Sequence, residues 1–162
     1  MSSLVVGIDV SITATGIAFS DPDGTLRTVG QANVTTMPLW DRIDTVQGLA
    51  VQVVRAAQLD EPLCYPMLVV IEALETSKAY GGFIERCWLW LAIVTEFRRA
   101  GIPVAVVPNK SRSLYATGKG GAPKNAVIDA VARRLPMFQT KGDDNLCDAA
   151  VLCAMGRDHL GE

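Results

Sequence analysis

Four acidic residues in this chain stand where acidic residues are costly. Asp9 ends the apolar run Leu4–Ile8, and Glu72 ends the apolar run Met67–Ile71. Asp144 and Asp148 lie four apart at the head of a largely apolar segment. Both apolar runs read as strands buried on two faces, so each carries a carboxylate into poorly solvated surroundings. Burying one uncompensated charge costs several kcal/mol. A turn-capping role accounts for Asp9 alone, but not for the same arrangement at Glu72. On a helix, Asp144 and Asp148 share a face about 6 Å apart along the axis, where like charges repel. Asp143 suits an N-cap and Asp144 complements the helix dipole. Asp148 lies past the first turn, on the stripe continued by Val151, Leu152 and Met155. A hard divalent cation resolves these liabilities together. Mg²⁺, with Mn²⁺ as a substitute, takes carboxylate oxygens, retains waters and binds phosphate oxygens. If Asp9, Glu72, Asp144 and Asp148 converge, they form a two-metal site. Two ions roughly 3.5–4 Å apart then activate a water on one side of a phosphorus and stabilise the leaving oxygen on the other.

The rest of the composition narrows the chemistry. One histidine and four cysteines, none in a Cys-x-x-Cys pair, argue against zinc. Cys87, Cys147 and Cys153 fall in apolar helical settings and read as inert core thiols, which suits a reducing cytosol. The N-terminus has no basic-then-apolar pattern, and no apolar run approaches the roughly 20 residues of a membrane span. The expected location is the cytoplasm. A net charge of −2 hides a strong asymmetry. Residues 1–77 carry three basic and nine acidic side chains, residues 78–141 eleven and three, and residues 142–162 one and five. A basic middle between acidic ends suits a protein that grips a polyanion and holds cations beside it.

The elements that must position these residues follow from periodicity and punctuation. Length predicts one domain over 1–162. Leu4 to Ser20 reads as a hairpin turning through a Ser/Thr-rich segment, and Asp21-Pro22-Asp23-Gly24 as a tight turn. Thr25–Thr35 predicts a third strand. A helix is expected from about Leu39 to Gln58, a fourth strand over Met67–Ala73 and a loop over Leu74–Gly82. An apolar helix follows over Phe83–Ala100, stopped by Gly101, then a strand over Pro103–Val107. Asn109 is placed to cap a short helix, Lys110–Ala116. Pro123 opens another helix, with Arg133 and Arg134 facing solvent. The last is expected over Asp144–Met155. Apart from the short helix, the order β-β-β-α-β-α-β-α-α predicts an α/β fold. Its five-stranded mixed sheet has the first three strands antiparallel, the fourth and fifth parallel, and helices on both faces.

These residues resemble a known family. Gly7-Ile8-Asp9-Val10-Ser11-Ile12-Thr13-Ala14-Thr15-Gly16, Val70-Ile71-Glu72, Lys119-Gly120-Gly121-Ala122-Pro123-Lys124 and Asp144-Asn145-Leu146-Cys147-Asp148-Ala149-Ala150 occur in the order of the RuvC-type Holliday junction resolvases. Together they span nearly the whole chain, and the likeness is nearest to phage-encoded members, which implies a host-cell cytoplasm. The resemblance implies an RNase H-like fold and a Mg²⁺-dependent endonuclease for four-way DNA junctions. It implies that Asp9 is shared by two metals, with Glu72 on one and Asp148 on the other. Asp144 is then the fourth carboxylate. Bacterial members often carry that acid three positions before the last aspartate, where Asn145 stands here, so Asp143 remains the alternative. A homodimer is also implied, its surface expected on the 83–100 helix. That helix carries more apolar residues than one buried face needs, and Trp88 and Trp90 point in different directions, so only one is expected in the core.

Lys110, Arg112, Lys119 and Lys124 surround two helix starts, where backbone N–H groups and the dipole favour phosphate. Lys124 also matches the family's lysine. Lys78 and Tyr80 are candidates for contacts near a branch point. Backbone contacts of this kind give salt-dependent affinity with little sequence information. Two other readings share the pattern: a nuclease for other branched or flap DNA or RNA–DNA hybrids, and an actin-like ATPase, which also opens with a strand, an Asp and a Thr-Gly hairpin. The second lacks a phosphate-binding glycine right after Asp9 and a second domain.

Overall fold

The computed structural model describes residues 4–58, 65–75 and 81–161. Five strands, β1 (Val5–Asp9), β2 (Thr15–Phe19), β3 (Leu26–Val29), β4 (Leu68–Glu72) and β5 (Val104–Val107), form one sheet in the order β3-β2-β1-β4-β5. The pairs β1–β2 and β2–β3 are antiparallel, and β4 is parallel to both β1 and β5. This is the mixed sheet expected, with β1, which carries Asp9, at its centre.

Alternation along the strands builds two cores. Val6, Ile8, Ile17, Phe19, Val69 and Ile71 face one side, under α1 (Leu39–Ala56) and α2 (Phe83–Arg99). Val5, Ala18 and Val70 face the other, under α3 (Asn109–Thr117), α4 (Lys124–Arg134) and α5 (Asp144–Leu160). On this second side the strand residues are small. α5 lies against the sheet so closely that a Cβ on Gly7 would fall 2.1 Å from the Ala149 carbonyl oxygen. A Cβ on Gly16 would fall 2.4 Å from that of Asn145. Cys147 and the run Ala149–Ala154 are buried, as befits a helix with sheet below and helices above.

Several expectations shift. The third strand stops at Val29, because its partner β2 begins at Thr15, opposite Val29, and no ladder remains beyond it. Residues Val34–Thr36 form a 3-10 turn instead. The last helix runs past Met155 to Leu160, crossing the buried Gly156 where it packs on Val5 and Val70 of the sheet, and Gly161, with a φ of +79°, ends it. Pro108 holds the cap position of α3, and Asn109 is its first helical residue, which frees the Asn109 side chain for another role. One of Trp88 and Trp90 was expected in the core; both are instead partly buried at the edge of the α1/α2-side core. Arg134 is exposed but not merely solvated: it donates to the carbonyls of Tyr115 and Ala116, closing the end of α3. Asp143 caps α5 by accepting the Leu146 N–H at 2.9 Å.

The α5–sheet contact leaves no room for a methyl group. Gly7→Ala is expected to destabilise the protein by about 2–4 kcal/mol, or to prevent folding, because the new Cβ meets helix backbone rather than a mobile side chain. Urea unfolding of this variant beside Gly48→Ala, where a Cβ meets nothing within 4 Å, checks it.

Candidate metal centre

Asp9 and Glu72 are the last residues of neighbouring parallel strands, held level by the Ile8–Ile71 register. Alternation turns both side chains toward α5. There the close helix approach brings Asp148 over the strand ends. Asp9, Glu72 and Asp148 each offer an oxygen within 4.8 Å of the others. Ligand sites of open α/β sheets characteristically form at such carboxyl ends. After Asp9 the chain turns sharply: the buried Thr15 hydroxyl donates to the Ser11 carbonyl at 2.6 Å and accepts the Ser11 N–H at 3.1 Å. The turn lets β2 start without covering Asp9.

Other residues hold the carboxylates in place. The Asn109 amide donates to Glu72 Oε1 at 2.9 Å, and the Trp90 indole N–H donates to the Glu72 backbone carbonyl at 2.7 Å. Arg112, only 5% exposed, reaches between Glu72 and Asp148: its Nε lies 2.7 Å from Glu72 Oε2 and its Nη1 contacts Asp148 Oδ1. Arg112 was expected to face phosphate from the surface. It is instead a buried partner of the acids, because α3 follows β5 directly and lays its inner face against α5.

Asp144 lines the same cleft, of about 340 Å³, but its carboxylate is paired with the exposed Lys124 ammonium. That pairing holds the Asp144 carboxyl below the usual carboxylate range. The structure thus clusters three of the four expected acids and sets the fourth at the rim. Asp143 is occupied as the helix cap. Lys110 and Lys119 are exposed, while Lys78 and Tyr80 lie outside the described residues. Sequence reasoning missed Asn109 and Trp90 as supports of Glu72. It also missed Arg86, which lines the cleft from α2. No local signal marks them, since each acts across the fold. Cys147 and Cys153 are buried and Cys87 half-buried, and burial pushes the Cys153 thiol up to about 12.

Burial and the neighbouring Glu72 charge push the Asp9 carboxyl up to about 7, outweighing the favourable charges of Arg112 and Lys124. An all-oxygen donor set, with one member so reluctant to ionise alone, fits a hard divalent cation better than a soft one.

No protein-family model matches the chain, and no curated protein matches its sequence. Solved structures do match. RuvC of Thermus thermophilus superposes with a TM-score of 0.63 at 19% identity, over 93% of this chain and 90% of that one. The T. thermophilus RuvC in complex with Holliday junction substrate gives 0.65 at 18%, over 97% and 96%. The yeast mitochondrial Holliday junction resolvase Ydc2 gives 0.59 at 14%, over 96% and 78%. The chain therefore has the RuvC-type, RNase H-like fold. Among the described residues, no helix is long and apolar enough to cross a membrane.

The raised Asp9 carboxyl sets a pH dependence of stability. The folded chain holds this proton up to about pH 7, whereas an unfolded Asp releases it near 3.9. Stability without divalent ions is expected to fall as pH rises through that interval, by at most about 1.4 kcal/mol per pH unit. Chemical unfolding in EDTA between pH 4 and 8 measures it, and Asp9→Asn should flatten the slope.

Proposed function

We propose that the protein is a divalent-metal-dependent endonuclease that resolves four-way DNA junctions. The observation that carries this reading is the Asp9–Glu72–Asp148 cluster at the strand ends of a fold shared with RuvC. The shared fold alone would not suffice, because one fold hosts many activities. The donor set favours Mg²⁺, with Mn²⁺ as a substitute. When bound, such ions would activate water and stabilise charge on the leaving oxygen of a phosphodiester. Asp9, Glu72 and Asp148 would hold them, and two ions per site suit this chemistry.

The chain's own residues do the rest. Asn109 and Trp90 fix Glu72 before any substrate arrives, which is how a site holds catalytic geometry without reorganising. Lys124 stands over the cleft at the start of α4, and a phosphate would compete with Asp144 for its ammonium. Asp144, once released, joins the cluster as the fourth carboxylate. Lys110 and Lys119 extend the positive surface along the strand backbone, so affinity should weaken with salt. Branched DNA is the substrate class that the T. thermophilus complex supports. The location that goes with this reading is the cytoplasm, that of the host cell if the chain is phage-encoded.

The test is incubation with a labelled four-way junction in Mg²⁺, with and without EDTA, beside three-way, flap and RNA–DNA hybrid substrates. Paired cuts in the junction, abolished by EDTA, are expected. Asp9→Asn should lower cleavage on the order of a thousandfold while leaving junction binding nearly intact. Cleavage of hybrid or flap in preference to the junction would redirect the assignment to another RNase H-like nuclease.

Two symmetric cuts need two sites, so a homodimer is part of the reading. The outward face of α2 supports it: Ile84 is 77% and Leu91 57% exposed, and Leu91 lines a groove with Val51 and Trp88 between α1 and α2. Leu91→Glu is expected to shift the solution mass from dimer to monomer and to convert paired incision into slow single nicking. Light scattering and nicking assays on supercoiled cruciform DNA read both outcomes.

A further inference from the structure

The Arg112 guanidinium occupies the gap between Glu72 and Asp148 that a cation would fill. It is buried, and its charge faces two of the three clustered acids. Its Nε and Nη1 nevertheless make no hydrogen bond of normal geometry, and Glu72 Oε2 is likewise without one. Both contacts are ion pairs by proximity alone. The guanidinium is therefore held by charge rather than by directional bonds, a hold that another cation can take over. Asn109 keeps Glu72 oriented independently, through the other carboxylate oxygen. Glu72 thus stays aimed at the cleft if Arg112 withdraws.

The geometry points to Arg112 as an internal counter-cation that competes with a divalent ion for Glu72 and Asp148. In the metal-free protein it neutralises these acids and keeps the cluster folded. Loading the Glu72–Asp148 side then requires the guanidinium to move aside, which lowers metal affinity until substrate phosphate offers Arg112 a new partner. This inference rests on the reading of the cluster as a divalent-metal site, and concerns how that site fills.

Calorimetric titration of DNA-free protein with Mn²⁺ alone, at pH 8, tests it. Arg112→Gln is expected to bind Mn²⁺ at least about tenfold more tightly than the wild type, because two like charges no longer share the gap. Arg112→Lys, still cationic, should gain much less. Without metal, Arg112→Gln should melt at a lower temperature, since two half-buried carboxylates lose their partner, and Mn²⁺ should recover most of that loss. Unchanged or weaker Mn²⁺ binding by Arg112→Gln would overturn the competition while leaving the nuclease reading intact. Absence of Mn²⁺ binding by wild type and variants alike would overturn the metal-site reading itself. Should Arg112→Gln fail to fold, the wild type decides. Saturating Mg²⁺ should speed solvent exchange of the Arg112 Nε–H at least about tenfold, in nuclear magnetic resonance spectra assigned through Arg112→Lys. Unchanged exchange while Mg²⁺ binds refutes the proposal.

Discussion

Three carboxylates within 4.8 Å of one another repel, and the fold must oppose that repulsion before any cation arrives. It does so with a buried guanidinium, with an amide and an indole that hold Glu72, and with a proton retained on Asp9. None of these is strong alone. A buried ion pair often contributes little net stability, because desolvation offsets the attraction. What they secure is position: the acids remain gathered at the strand ends, with their charge only partly cancelled.

Position in turn depends on how near α5 can come to the sheet. Gly7 and Gly16 remove the Cβ atoms that would hold the helix off, and its backbone rests on theirs. A normally spaced helix would carry Asp148 away from Asp9 and Glu72. The glycines flanking the first carboxylate are thus as much part of the site as the carboxylates. On the other side of the sheet, larger residues build an ordinary core under α1 and α2, and that half supplies rigidity. α3 and α4 belong with the site, bringing Arg112, Asn109 and Lys124 to its edge.

Much of the architecture was legible in the chain, because strand and helix periods are local. The apolar runs ending in Asp9 and Glu72, the Asp-Pro-Asp-Gly turn and the Gly101 stop each report on a few consecutive residues. Asp148 was legible for the same reason, as an acid on a stripe otherwise meant for burial. Boundaries failed where a partner decided them: β3 stops because β2 does, and α5 continues through Gly156 because the sheet packs against it there. Trp88 and Trp90, turned apart on one helix, are both partly buried and pack against the edge of one core, because that core extends over both the sheet and α1.

The order of residues settled which groups were available: acids at the ends of buried strands, oxygen donors without thiol or imidazole company, and a basic middle. These follow from residue type and short-range spacing, which no folding alters. Which acids meet, and what stands between them, was left to packing. Asp144 is drawn to Lys124, while Arg112 leaves the surface for the gap beside Asp148. Such pairings join residues tens of positions apart, and their strength depends on burial, a property of the packed molecule that linear order does not encode.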